Sequence, residues 1–175
     1  FNLIPNYSNY FNLPMVSFSL INANPYQIFI KLIVEKFITI LLLAVLFPII
    51  LICGIFIKFS SKGPIIFKQK RDGLRGRLFT QYKLRTMVIN ADKIKESLNH
   101  LNEQSGPIFK IENDPRINRF GKFYRKFSLD ELPQLFNVLK GDMNLIGPRP
   151  PIPEEVLQYK TNQYRRLSMK PGITG

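Results

Sequence analysis

The sequence predicts an α+β protein: a small mixed domain with a β-hairpin and helices, on the cytoplasmic side of a membrane, anchored by one apolar helix that carries a proline at its centre. Three observations lead there. Phe37 to Ile57 is a run of 21 residues without a charge. Two strand-like runs flank the glycine-bearing loop Asp72-Gly73-Leu74-Arg75-Gly76-Arg77. Leu132, Leu135, Phe136 and Leu139 recur at the spacing of one helical face, and the pattern stops at Gly141.

A chain of 175 residues has room for one ordinary domain and an anchor. Residues 1–30 carry no acid or base and are rich in Asn, Tyr, Phe and Pro; they are expected to be a linker or the tail of an upstream domain. Residues 31–58 hold the membrane segment. Its 21 uncharged residues make a helix of about 31 Å, close to the thickness of the hydrocarbon core. A secretory signal peptide fits poorly, because the run is long for one, starts well inside the chain and reaches Lys58 without a small-residue cleavage site.

Pro48 lies near the centre of that run. A proline there has no N–H to donate to the Ala44 carbonyl and crowds it, so a kink or break is expected. Lys31 and Lys36 precede the run, and Lys58, Lys62, Lys68, Lys70 and Arg71 follow it, which keeps the second flank cytoplasmic. A straight span satisfies the stronger flank, whereas a segment that re-enters the same face satisfies both. The residues themselves leave the two open.

The net charge is +13, of which residues 1–57 carry +1 and residues 58–175 the other +12. Such an excess attracts phosphate, whether on nucleic acid, anionic lipid or a phosphorylated substrate. Cys53, the only cysteine, excludes an internal disulfide and reads as a small hydrophobe inside the apolar run. His100 stands alone in a polar stretch and receives no role.

Residues 59–175 form the domain. Pro64 to Arg71 and Leu78 to Met87 are the two predicted strands. In the second, Phe79, Gln81, Lys83 and Arg85 share one face, which is either a solvated basic face or a phosphate-facing one. Asn90 caps a predicted surface helix to about Glu103, with Ile94, Leu98 and Leu101 at helical spacing. Asn113-Asp114-Pro115 signals a turn. The densest basic run follows, with Arg116, Arg119, Lys122, Arg125 and Lys126.

The next helix has two possible starts. Ser128 with Glu131 makes a capping box but places Pro133 too deep, whereas Asp130 as N-cap puts Pro133 in the first turn. Gly141 suits the residue just past the helix end, with Lys140 in the last turn. Gly147-Pro148-Arg149-Pro150-Pro151 then pins an arginine in a stiff extended turn, where its fork loses little freedom on gripping a phosphate.

Acids at a helix N-terminus commonly cap it and do nothing more. Asp130 and Glu131, however, follow a basic cluster and precede a rigid arginine in a membrane-held domain. A carboxylate among arginines is expected to stay ionised, as a nucleophile attacking phosphorus must. A second carboxylate suits Mg2+, a hard ion that bridges substrate phosphates. Arginines would neutralise a transferred phosphoryl group. The alternative is a non-enzymatic membrane module that binds anionic lipid or nucleic acid through its charge. Against it, the bases are interleaved with acids and no nucleic-acid motif appears, so nucleic acid is not an expected partner.

From about Lys31 onward the chain resembles the bacterial sugar transferases, the monotopic polyprenol-phosphate phosphoglycosyl transferases. The strings that carry the resemblance begin with Ser61-Lys62-Gly63-Pro64, Phe67-Lys68-Gln69-Lys70-Arg71, Tyr82-Lys83-Leu84-Arg85-Thr86-Met87 and Asp114-Pro115-Arg116. They continue with Ser128 to Leu135, Asn137 to Met143, Gly147 to Pro150 and Lys170 to Gly175.

The resemblance implies a membrane enzyme that moves a sugar 1-phosphate from a nucleotide diphosphate sugar to polyprenol phosphate, with undecaprenyl phosphate the expected acceptor. UMP would leave if the donor is a UDP-sugar. It also implies Asp130 as covalent nucleophile, Glu131 as Mg2+ ligand, Arg125 and Arg149 as phosphate-binding residues, and a re-entrant helix broken at Pro48 with both ends cytoplasmic. Two departures touch the anchor: Lys31 to Glu35 lacks the arginine common in the family before the apolar run, and Phe47 stands where serine is common. The family continues past the Pro171-Gly172-Ile173-Thr174-Gly175 string, so a C-terminal portion of the catalytic domain is expected to be missing here.

Overall fold

A computed structural model describes residues 4–10, 13–19, 24–60, 63–88, 90–91, 94, 111, 114–159 and 163–174. The chain divides into two compact units, Phe1–Val34 and Glu35–Gly175. In the first, β1 (Ile4–Tyr10) and β2 (Leu13–Ser19) pair antiparallel, from Ile4 opposite Ser19 to Tyr10 opposite Leu13. The stretch expected as a linker thus contains a hairpin and the beginning of a helix.

That helix, α1, runs over Pro25–Ser60, 36 residues. Asn24 starts it: its side-chain oxygen accepts from the Tyr26 N–H at 3.0 Å and its carbonyl from the Ile28 N–H at 3.2 Å. Pro25 follows at the first helical position, where a missing N–H removes nothing. The helix continues through Pro48 without leaving helical assignment, so the proline withholds one backbone hydrogen bond but does not interrupt α1. Among the described residues α1 is the one helix long and apolar enough to cross a membrane.

Its buried positions Thr39, Leu43, Ile50, Cys53, Gly54 and Ile57 follow a helical stripe. Most other apolar side chains of α1, among them Ile40, Leu41, Val45, Phe47, Leu51 and Ile55, are exposed. An apolar surface of that extent suits lipid rather than water. The C-terminal part of the stripe is welded to the domain, where Ile57 joins a core with Leu84, Tyr124 and Leu135. The Tyr124 hydroxyl donates to the Cys53 carbonyl at 3.3 Å, and Phe56 stacks on Phe120.

Strands β3 (Ile66–Asp72) and β4 (Leu78–Leu84) form the predicted hairpin, from Ile66 opposite Leu84 to Asp72 opposite Leu78. A 3-10 turn at Leu74–Gly76 joins them, with Arg75 at φ 56 and Gly76 at φ 73. The basic run holds α2 (Arg119–Lys126), whose first turn is closed by the Asn118 side chain accepting from the Gly121 N–H. Of the surface helix expected over Asn90 to Glu103, only Asn90, Ala91 and Ile94 are described. The Ile94 N–H donates to the Asn90 carbonyl at 3.1 Å, a helical contact, and the remainder lies outside the described residues.

Of the two predicted starts of the next helix, Ser128 does occupy the N-cap position, but the predicted capping box does not form. Ser128 takes φ 54 without a side-chain cap, a 3-10 turn covers Leu129–Gln134 with Pro133 inside it, and α3 (Leu135–Lys140) begins only then. The tighter turn accommodates Pro133 before the α-helical ladder needs its N–H. Gly141 at φ 84 ends α3 as predicted. Strand β5 (Asn144–Ile146) pairs in parallel with β6 (Gly172–Thr174), and α4 (Pro153–Val156) lies between them in sequence. A second core of Phe79, Val138 and Met143 closes this side. Full burial of a side chain such as Met143 contributes about 1.5–3 kcal/mol.

Candidate active site

Strand alternation turns Gln81 and Lys83 to the same face, as expected, and the 3-10 turn packs against β4. Asn137, completely buried on α3, fixes that packing. Its amide nitrogen donates to the Thr80 carbonyl at 2.7 Å, and its oxygen accepts from the Tyr82 N–H at 3.1 Å. Lys83 consequently reaches the turn: its Nζ lies 2.6 Å from Glu131 Oε1, with both side chains part-exposed.

Asp130, beside Glu131, is 8% exposed. Burial pushes its carboxyl above the ordinary aspartate range, Glu131 pushes it further, and the charges of Lys83 and Arg125 draw it back. Desolvation is thus the larger influence on this carboxyl, and the lowering by its basic neighbours that the sequence leads one to expect offsets it in part. Arg125 donates from Nε to the Thr86 hydroxyl at 3.0 Å.

Arg149 is carried by a loop fastened at several points. Gly147 donates to the Thr174 carbonyl at 2.9 Å, and Gly172 donates to the Pro148 carbonyl at 3.0 Å. Arg71 donates from Nη1 to the Pro150 carbonyl at 3.0 Å. A Cβ at Gly172 would overlap the Gly147 backbone, so the close approach of these two segments requires glycine.

A cleft of about 320 Å³ opens between the hairpin, the 3-10 turn and this loop, lined by Arg71, Gln81, Lys83, Glu131, Gln134 and Arg149, with Gly172 to Thr174 along one wall. Three sequence-predicted residues, Lys83, Glu131 and Arg149, meet there. Asp130 and Arg125 stand next to it and act on each other electrostatically, but do not line it. Arg85 lies just past the end of β4, buried, with its N–H on the Ile65 carbonyl, and is not part of the lining. Pro48 belongs to α1 alone.

Sequence reasoning missed Arg71 and Gln134, and it placed Gln81 on the right face without giving it a role. Among the described residues Arg71 Nε, Gln81 Oε1 and Gln134 Nε2 are buried polar atoms without a hydrogen-bond partner. Burial and the nearby Arg149 charge bring Arg71 down to about 10.

The described residues contain no cluster of three or more acid, His or Cys side chains, so no all-protein metal cage exists among them. Glu131, part-exposed at the cleft, nevertheless fits Mg2+, which is commonly held by one or two carboxylates completed by substrate phosphates and water.

The profile of the bacterial sugar transferase family matches residues 26–175, and the chain belongs to that family. It is 52% identical over 132 residues to the galactosyl transferase CpsE of Streptococcus agalactiae, covering 72% of this chain and 29% of that protein. It is 47% identical over 121 residues to the undecaprenyl-phosphate galactose phosphotransferase of Salmonella typhimurium, covering 65% and 25%. Identity is 38% over 161 residues to the UDP-glucose:undecaprenyl-phosphate glucose-1-phosphate transferase of Xanthomonas campestris, covering 89% and 31%. The chain spans roughly a quarter to a third of the length of each of these relatives.

Proposed function

We propose that this chain transfers a sugar 1-phosphate from a UDP-sugar to polyprenol phosphate, undecaprenyl phosphate being the acceptor its relatives' names support. The observation that carries the reading is the Asp130–Glu131 pair at a basic cleft, with Lys83 bonded to Glu131 and Arg149 on the same lining. An Asp130 carboxylate oxygen attacks the β-phosphorus. The bond from that phosphorus to the bridging oxygen breaks, and UMP departs with the oxygen. A phosphate oxygen of the polyprenol then attacks the phosphorus held on Asp130, which frees the carboxylate and yields the polyprenyl diphosphate sugar.

Glu131 would hold Mg2+, which when bound neutralises charge on the diphosphate. Lys83, Arg125 and Arg149 balance the rest of that charge. Partial burial of Asp130 excludes competing water. The anchor reading is a re-entrant α1 with both ends cytoplasmic and the domain at the inner membrane, supported by basic residues on both flanks. Labelling of single cysteines introduced at either end of α1 from the cytoplasmic side tests it: a residue near Lys31 that reacts only from outside would mean a spanning helix.

The decisive chemical test offers UDP-sugars to the protein in membranes with Mg2+ and follows UMP release. Asp130→Asn should abolish release and any phospho-sugar adduct on the protein. Release at the wild-type rate would remove Asp130 as nucleophile, and no release from the wild type with any nucleotide sugar would favour the non-enzymatic module.

A further inference from the structure

The cations around Asp130 fall into two groups. Lys83 and Arg125 act on the Asp130 carboxyl directly. Arg149 instead acts on Arg71, against the opposite pull of Glu155, Glu131 and Glu154, and both arginines line the cleft. Arg71 is 6% exposed and forms no ion pair with a carboxylate among the described residues. Its Nη1 donates to the Pro150 carbonyl at 3.0 Å and its Nη2 to Gln69 Oε1 at 2.8 Å, while its Nε has no partner.

Burying a guanidinium carries a desolvation penalty that two neutral acceptors recover only in part. Placing a second guanidinium, Arg149, on the same cleft adds repulsion. A dianionic phosphate reverses both effects at once, because it supplies opposite charge to the pair and acceptors to unfilled donors. An uncharged base or sugar hydroxyl would bring no opposite charge to the two guanidiniums.

We propose that Arg71 is a second anion-binding arginine of the cleft, paired with Arg149 to hold the phosphate that departs with the nucleoside, while Lys83 and Arg125 serve the phosphate that Asp130 attacks. This rests on the nucleotide-sugar reading and deepens it, since it assigns separate cations to the two phosphates of the donor. The Pro150 tether links the pair: the carbonyl of the residue that follows Arg149 accepts from Arg71, so the loop that carries Arg149 also holds the Arg71 guanidinium.

Binding of UMP and of uridine to the membrane-embedded protein tests this, in wild type, Arg71→Gln and Arg71→Lys, alongside the donor KM and kcat. Wild type should bind UMP well above uridine. Arg71→Gln should weaken UMP about tenfold or more, the loss typical of a charge-assisted contact, with uridine unchanged and the effect on turnover falling mainly on KM. Arg71→Lys should lose several-fold, because it keeps the charge and forfeits the fork; it carries the test if Arg71→Gln does not fold. Unchanged UMP binding in the folded variants, an equal loss of UMP and uridine, or a wild type without preference for UMP would each overturn the assignment. Turnover that persists with Arg71 silent refutes this inference alone. UMP binding that depends on Arg71 without turnover of any nucleotide sugar refutes the transferase reading alone.

Discussion

Lys83 Nζ and Glu131 Oε1 meet at 2.6 Å, a strand-borne cation joined to a turn-borne carboxylate 48 positions away in sequence. The same ammonium lowers the proton affinity of Asp130, which burial raises. Lys83→Met removes that counterweight, so Asp130 should hold its proton to higher pH. The acidic limb of the kcat/KM profile should move upward in pH, and activity near neutrality should fall about tenfold or more. A profile with an unmoved acidic limb would exclude this coupling.

Gly172→Ala should separate the two segments that mount Arg149. The added methyl has no space against the Gly147 backbone, and overpacking of this kind destabilises by about 1–3 kcal/mol. Activity should fall with Tm. Gly141→Ala makes the contrast: its Cβ meets nothing within 4 Å, so only the left-handed φ of 84 is penalised, by about 1–2 kcal/mol. Turnover per folded molecule should then be unchanged, and thermal melts with activity assays separate the two effects.

Asp114 and Arg116 form a buried ion pair, each 6% exposed at the side chain. Hydrogen bonds from Arg116 are the first cause holding the Asp114 carboxyl below its usual range. A depressed carboxyl contributes stability that is complete above the unfolded value, about 3.9, and is lost as pH falls through the folded value. Asp114→Asn should therefore destabilise at neutral pH by about 3–5 kcal/mol and make acid unfolding less steep. Denaturant melts across the acidic range check the sign.

Asp130 carries the opposite sign. Its carboxyl is raised, so the charged form is penalised in the folded state, and stability should increase as pH falls through the folded value. Asp130→Asn should raise Tm at neutral pH while abolishing transfer. A lower Tm for that variant would show that its buried position is stabilising after all.

Local chemistry made several elements readable in advance. Gly76 marked the hairpin turn, and Gly141 marked the end of α3, because each takes a positive φ that depends on backbone freedom recorded in the residue itself. The start of the preceding turn was less legible: two capping schemes competed around Pro133, and the chain took a 3-10 turn that neither scheme contains. The site divides the same way. Lys83, Glu131 and Arg149 stood out by charge and setting. Arg71 joins the cleft through a bond to Pro150 that crosses 79 positions, and no local pattern announces such a contact. Gln81 had a signal in its alternation with Lys83, while Gln134 looked like one more residue of a helix. Arg85 followed the same alternation, but β4 ends at Leu84 and the alternation ends with it.

Asn137 has a consequence beyond placing the turn. Its amide occupies the Thr80 carbonyl and the Tyr82 N–H, both on the edge of β4 that β3 does not use. A two-stranded ribbon with a bare edge is a template on which another extended chain can add by main-chain pairing. One buried side chain closes the middle of that edge from within. Protection against edge-to-edge self-association and the seating of the carboxylate turn are thus assigned to the same amide, so a substitution there would be felt in solubility as well as in chemistry.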